Sequence, residues 1–465
     1  MAEKTPNQQL AEKLLFKPAY VGDKSAAVKQ EAHAFAEGYK KFLDAGKTER
    51  EVAAESEQML KDAGYQQFDP KKTYAPGDKV YFSQLGKAIV ASTIGTRSFE
   101  DGFHLVIAHT DSPRLDLRPT PLYESDHFSY FKTHYYGGIR KYQWGTMPLA
   151  IHGVFSRADG TTVSVNVGED ENDPVFCITD LLPHLGAEQG ERKLSDGIRA
   201  EELNILIGSD AVDDEEVKEA VKLNTMILLN EKYGITEKDF ARAEIEIVPA
   251  YKSRDVGFDR SMIGAYGHDD RVCSYAALKA LLELETPTKT AVCMLADKEE
   301  IGSMGVTGMQ SAFFDTFMED LCESQGVALR VCYESAFCLS SDVTAAYDPN
   351  FAEVYEKRND AQVNHGLGLC KYTGARGKGG SSDADAETVA YVRRVMDEAG
   401  VVWQIGEMGK IDAGGGGTVA QYMANRNITT IDAGVPVLSM HAPFETVGKL
   451  DCYMNYLGCK AVYLA

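Results

Sequence analysis

A chain of 465 residues, 44% of them hydrophobic and 25% charged, has apolar content for two or three domains, or for one large core with an insertion, without covalent staples. Its net charge of −22 argues against nucleic acid and against anionic membrane surfaces as partners, because both recruit clustered Lys and Arg. No apolar run reaches the ~18 residues of a membrane span. The N-terminal MAEKTPNQQLAEKLLFKPAY holds no signal core, and the nine cysteines are scattered without a C-x-x-C pair. That pattern suits buried free thiols in a reducing compartment, so the chain reads as cytoplasmic.

Residues 25–65 predict two helices. Apolar positions from Ala32 to Leu43 recur near a period of 3.6, Ala45-Gly46 breaks the pattern, and Thr48 with Glu51 forms a capping box that opens a second helix ending near Gly64. Lys79–Phe82 and Ala88–Ser92 read as strands, and His104–Ala108 as a more apolar, central one. From 119 to 250 the texture becomes β-rich. Leu149–Phe155 and Thr162–Val167 flank the turn signal Ala158-Asp159-Gly160, and the acidic runs Glu169–Asp173 and Asp213–Glu216 read as solvated loops. This block reads as an inserted second domain. After 255 an α/β rhythm returns. Helices at Val272–Glu285, Ser311–Phe317, Asp385–Ala399 and Thr418–Ala424 alternate with buried strands at Thr290–Ala296, Ala336–Leu339, Val401–Ile405 and Asn427–Asp432. Gly374–Ser382 is a basic, glycine-rich loop.

Several apolar runs end in residues able to bind metal: His109-Thr110-Asp111, Glu299-Glu300, Asp342 and His441, with Gly267-His268-Asp269-Asp270 opening a helix. Each alone has a plain structural reading, as a cap, a surface turn or a hydrogen-bonded core histidine. Together they are harder to dismiss, because open α/β sheets build their sites at the carboxyl ends of strands. Mixed His and carboxylate donors suit Zn²⁺, with Co²⁺ or Mn²⁺ as alternatives. Their number exceeds one tetrahedral ion and fits two ions ~3.5–4 Å apart, bridged by a carboxylate. Gly414–Thr418 has no Lys before the Thr, so it is not a Walker loop.

The order His109-Thr110-Asp111-Ser112-Pro113, Asp269-Asp270, Glu299-Glu300-Ile301-Gly302-Ser303, Ser341-Asp342, Met440-His441 resembles the aspartyl aminopeptidase family of dinuclear zinc exopeptidases, over nearly the whole chain. The resemblance implies an α/β/α sandwich formed by 1–118 and 251–465, with 119–250 as an inserted β-rich dimerisation domain. It implies a homo-oligomer of dimers, built up to a tetrahedral dodecamer, that acts on peptides with a free N-terminus. It also implies two zinc ions per subunit, held by His109, Asp269 as the bridge, Glu300, Asp342 and His441. Asp111 would fix the imidazole of His109, and Glu299 would be the general base for the metal-bridging water. A histidine of the inserted domain would reach a neighbour's site. His184 in DLLPHL matches best, with a structural role as the open alternative.

Two departures stand out. The bridging Asp lies in His268-Asp269-Asp270 rather than Leu-Asp-Asn, and Ala375–Gly380 replaces a basic stretch containing Tyr. Arg376 or Lys378 could still pair with a substrate carboxylate, but the resemblance does not extend to a preference for acidic first residues. A deacylase of acylated amino acids and a catalytically silent assembling particle are the competing readings.

Overall fold

The computed structural model describes residues 4–157 and 159–465, so Ala158 of the predicted turn lies outside the described residues, as do Met1–Glu3. Its centre is a nine-stranded sheet in the order Gln66–Gln67, Lys79–Gln84, Ala88–Thr93, Thr290–Ala296, Phe103–His109, Phe337–Ser340, Thr429–Gly434, Leu367–Cys370, Trp403–Ile405. The four strands around Phe103–His109 run parallel, with Ala296 paired to His109 and Ser340 to Asp432. Parallel strands are buried on both faces, which is why these stretches read as continuous apolar runs. Alternate side chains feed two cores. Val106 and Ala108 pack under helices Ala26–Ala45, Glu49–Asp62, His268–Leu282, Ala386–Glu398 and Lys449–Leu464. Leu105 and Ile107 pack under Phe313–Glu323, Leu329–Glu334 and Ala420–Ala424. The result is the expected α/β/α sandwich.

Local chemistry explains where the elements begin. The Thr48 hydroxyl accepts the Glu51 N–H while the Glu51 side chain accepts the Thr48 N–H, closing the predicted capping box. Thr290–Ala296 matches its prediction residue for residue. The strand predicted at Asn427–Asp432 instead spans Thr429–Gly434. It runs on because Gly434 lets the backbone pass against Asp342, where a Cβ would lie 1.7 Å from the Asp342 carbonyl oxygen. The helix expected from Ser311 starts at Phe313 and runs to Glu323, and Pro6–Leu14 and Leu329–Glu334 are further helices that the periodicity did not suggest. No disulfide forms among the described residues, and eight of the nine cysteines are buried.

A second, antiparallel sheet has the order Thr162–Val167, Leu149–Ser156, Ala243–Pro249, Arg114–Ser125, Phe128–Tyr136, Asn204–Gly208, and a core of its own beneath helix Ala220–Tyr233. A third sheet, of five strands, joins Arg254–Val256, Met262–Ala265, Glu445–Gly448, Pro436–Leu438 and Thr344–Ala345. Where the helix Glu49–Asp62 meets the second sheet, charges are buried in pairs. His152 stands between Glu51 Oε1 at 2.8 Å and Glu169 Oε1 at 3.1 Å, and Lys47 also bonds to Glu169. Glu169 is therefore a partly buried tie rather than part of a solvated loop, while Asp170, Glu171 and Asn172 beside it are exposed.

Burial disfavours charged His152, but its bonds to Glu169 and Glu51 outweigh that and raise its pKa above 6.5. Burial raises Glu51 and Glu169, and their bonds to His152 more than reverse the effect, so both lie below 4.5. A raised His stabilises below its unfolded pKa and loses the contribution as pH rises through the folded value. The lowered carboxylates stabilise above theirs. Replacing His152 by Ala should thus lower the melting temperature most at roughly pH 5–6.5, with the difference from the wild type in calorimetry shrinking as the pH rises through the raised folded value.

Candidate metal centre

The carboxyl ends of the parallel strands meet the third sheet, and the predicted residues converge there. His109 closes its strand with Nε2 3.2 Å from Asp269 Oδ1, 3.8 Å from Asp342 Oδ1 and 4.0 Å from Glu299 Oε2. Asp269 stands where the chain turns from Met262–Ala265 into helix His268–Leu282. The turn needs Gly267, whose φ is +79° and whose Cβ would lie 2.4 Å from the buried Arg271 guanidinium. The other oxygen of Asp269, Oδ2, is 3.1 Å from His441 Nε2, and Glu300 Oε1 is 3.5 Å from the same nitrogen. Asp269 thus presents one oxygen to each imidazole. Donor atoms lie within 4.8 Å of one another in three trios, His109–Asp270–Asp342, His109–Glu299–Glu300 and Asp269–Glu300–His441.

Asp111 is wholly buried behind His109. Its Oδ1 lies 3.3 Å from His109 Nδ1 and accepts the Glu299 N–H at 3.1 Å, while Oδ2 accepts the Glu300 N–H at 3.1 Å. Glu299 and Glu300 do not continue the strand. They form a single 3-10 turn, Glu299–Ile301, entered through Lys298 at φ +69° and left through Gly302 at φ +92°. Asp297, directly after the strand Thr290–Ala296, is buried and accepts the Thr307 hydroxyl beneath this turn.

The electrostatics are those of crowded acid. Burial, with the Asp111 and Asp269 charges, lifts Glu299 to about 7 against the pull of His109. Burial and the Asp269 charge push Glu300 far up, and burial and the Asp270 charge do the same to Asp342. Burial opposes protonation of His441, yet its bond to Asp269 and the Glu300 charge raise it to about 10. Glu300 Oε1 and Asp270 Oδ1 are buried without a hydrogen-bond donor. Carboxylate oxygens in that state call for a cation, and two imidazoles among carboxylates are a donor set that suits zinc.

Two acids escaped the motif reading. Glu445 accepts the His441 N–H at 2.7 Å and the Asp269 N–H at 3.1 Å, tying two candidate ligands together from behind; its only signal was its place four residues after His441. Asp270 was noted only as the neighbour of Asp269, yet it joins His109 and Asp342 in one trio and accepts the His109 N–H at 3.2 Å. His184 is exposed in the loop before Ala187–Gly190 and is not in the cluster. Arg376 and Lys378 are exposed at the rim of a cleft that has Asp342 in its wall, with Tyr372, Glu407 and Asp432. The cleft does hold a tyrosine: Lys378 Nζ lies 3.8 Å over the Tyr372 ring and 3.1 Å from Asp383 Oδ2, and the Tyr372 hydroxyl donates to Glu407 at 2.6 Å.

The family model described as aminopeptidase I zinc metalloprotease (M18) matches residues 42–463. A probable M18 family aminopeptidase 1 of Clostridium acetobutylicum is 48% identical over 440 residues, covering 93% of this chain and 95% of the relative. The crystal structure of aminopeptidase I from Clostridium acetobutylicum superposes with a TM-score of 0.92 at 45% identity, covering 97% of this chain and 100% of the other. The S. cerevisiae mApe1 dodecamer shares the fold at a TM-score of 0.74 and 21% identity, covering 93% and 98% of the two chains.

Glu445→Ala is expected to weaken zinc binding by about 10-fold, since it frees the backbone of two candidate ligands. Competition with a chromogenic chelator measures this, and wild-type affinity in the variant would show that Glu445 does not support the centre.

Proposed function

The chain belongs to the aminopeptidase I family of zinc metalloproteases (M18) and is a metal-dependent aminopeptidase; from that premise we propose how its own residues carry the reaction. His109, Asp269, Glu300, Asp342 and His441 would hold two zinc ions per subunit, and Glu299 would serve as general base. The observation that carries this reading is Asp269, with one oxygen 3.2 Å from the His109 imidazole and the other 3.1 Å from that of His441. When bound, the ions would acidify the attacking water and polarise the scissile carbonyl. The Asp111 carbonyl oxygen, 3.0 Å from His109 Nδ1 with the carboxylate beside it at 3.3 Å, would hold the imidazole so that Nε2 faces the cluster. Glu299, with a side chain more exposed than those of His109, Asp269, Glu300 and Asp342 and lifted to about 7 by burial, is suited to take a proton near neutral pH and return it to the departing amine. Zinc is the family's metal, and Co²⁺ or Mn²⁺ would fit the same donors.

The proposal extends to assembly. Residues 1–118 and 251–465 would form the catalytic unit and 119–250 the dimerisation domain, with dimers building a tetrahedral dodecamer in the cytoplasm. Leu181, Leu182 and Leu185 are exposed around His184, an apolar loop suited to burial against a second copy. That supports His184 entering a neighbour's site. Arg376 and Lys378, at the rim of the cleft beside Asp342, would contact the substrate's first side chain.

Glu299→Gln should retain its zinc and lose activity by roughly 10²–10⁴-fold on a panel of aminoacyl chromogenic substrates; normal turnover would rule Glu299 out as the base. Mixing Glu299→Gln subunits with His184→Ala subunits should restore part of the activity that each homo-oligomer lacks. Strictly additive residual rates after subunit exchange would place His184 outside any neighbour's site.

A further inference from the structure

The Asp111 carboxylate has a third hydrogen-bond donor, and it comes from another sheet. Tyr136 ends the strand Phe128–Tyr136, and its hydroxyl donates to Asp111 Oδ2 at 2.8 Å. Oδ1 takes the Glu299 N–H and faces His109 Nδ1, and Oδ2 takes the Glu300 N–H and the Tyr136 hydroxyl. The Tyr136 ring, 8% exposed, is itself held. Arg114 is its direct partner across the strands and lays its guanidinium 3.9 Å over the ring. Arg114 is fixed in turn by Asp116 at 2.8 Å, Glu246 at 3.1 Å and Glu49 at 3.3 Å, the last from the helix Glu49–Asp62 of the central unit. Buried guanidinium stacking and charge-assisted bonds of this kind hold geometry well.

We propose that Tyr136 is a positioning residue for the metal centre: its hydroxyl sets the rotation of the Asp111 carboxylate, which fixes the Glu299–Glu300 turn and places a negative charge beside the His109 imidazole, and Arg114 clamps Tyr136 in place. With only the two backbone donors, the Asp111 carboxylate can turn about its Cβ–Cγ bond and trade one backbone bond against the other. The hydroxyl on Oδ2 leaves Oδ1 to the Glu299 amide, 3.3 Å from His109 Nδ1, whose N–H donates to the Asp111 carbonyl oxygen at 3.0 Å and so keeps the Nε2 lone pair facing Asp269. The six-stranded sheet thereby completes a centre whose other parts lie on the central and five-stranded sheets. This inference rests on the proposed roles of His109 and Glu299.

Tyr136→Phe keeps the ring and the Arg114 stack and removes only the donor. We expect its zinc dissociation constant, read by chelator competition, to rise about 10-fold. At saturating zinc kcat should fall by a similar factor with KM unchanged, while the melting temperature of the metal-free protein stays at the wild-type value. Tyr135→Phe, at the exposed neighbour, should leave all of these unchanged. Wild-type zinc affinity and kcat in Tyr136→Phe would overturn the proposal, as would a loss that only follows a lowered metal-free melting temperature. His109→Ala, run beside it, separates the two layers. If it loses zinc while Tyr136→Phe binds as wild type, the positioning role alone falls. If it keeps all its zinc, the reading of the metal centre falls too.

Discussion

Too much negative charge in too little space is the constraint on which this structure turns. Five carboxylates and two imidazoles place donor atoms within 4.8 Å of one another in overlapping trios. At ~4 Å each like-charged pair costs about 4 kcal/mol at an effective dielectric of 20. Protons relieve part of this: burial first and the neighbouring charges second drive Glu300 and Asp342 far above the usual carboxylate range, while Asp269 and Glu300, against burial, keep His441 charged to about 10. Doubly charged cations relieve it far better, and they turn repulsion into coordination. The fold can therefore be read as a device for keeping acids together until cations hold them.

That device is mostly backbone. Strands that run parallel put His109, Glu299 and Asp342 at one edge of the sheet. Gly267 and Gly434 permit close approaches that a Cβ would block, the first beside Arg271 and the second against Asp342. Asp111 and Glu445 act on amides: the first accepts the N–H groups of Glu299 and Glu300, the second those of Asp269 and His441. Each spends a buried acid to orient two of the residues around it, and each is satisfied by hydrogen bonds in doing so.

What could be read in the sequence was what local chemistry determines. The Thr48–Glu51 box, the apolar run Thr290–Ala296 and the acids and histidines at strand ends carry their signal within a few residues. The ties that span the chain do not. Tyr136 meets Asp111 only because two sheets abut, and Glu169 meets Lys47 and His152 only after the second sheet has docked, so an acidic run looked like solvent-facing loop. Tyr372 was missed in the cleft beside Asp342 because the basic loop after it drew the comparison. His184 stands on the surface of a single chain, and no spacing in one sequence can say what covers an exposed leucine-rich loop.

The adjacent pair Glu299-Glu300 shows how little separates an awkward sequence from a useful one. On a continuing strand, neighbours point to opposite faces, and one of the two would enter the core. Here the chain leaves the strand through Lys298 in the left-handed region, so both glutamates fall on one short turn beneath which Asp297 is pinned by Thr307. The turn alone would leave two acids competing for one place. Asp111 separates them by taking one amide on each oxygen, which leaves Glu300 against His441 and Glu299 beside His109. One carboxylate thus gives two identical side chains different surroundings, and different surroundings are what allow one to hold a metal while the other moves a proton.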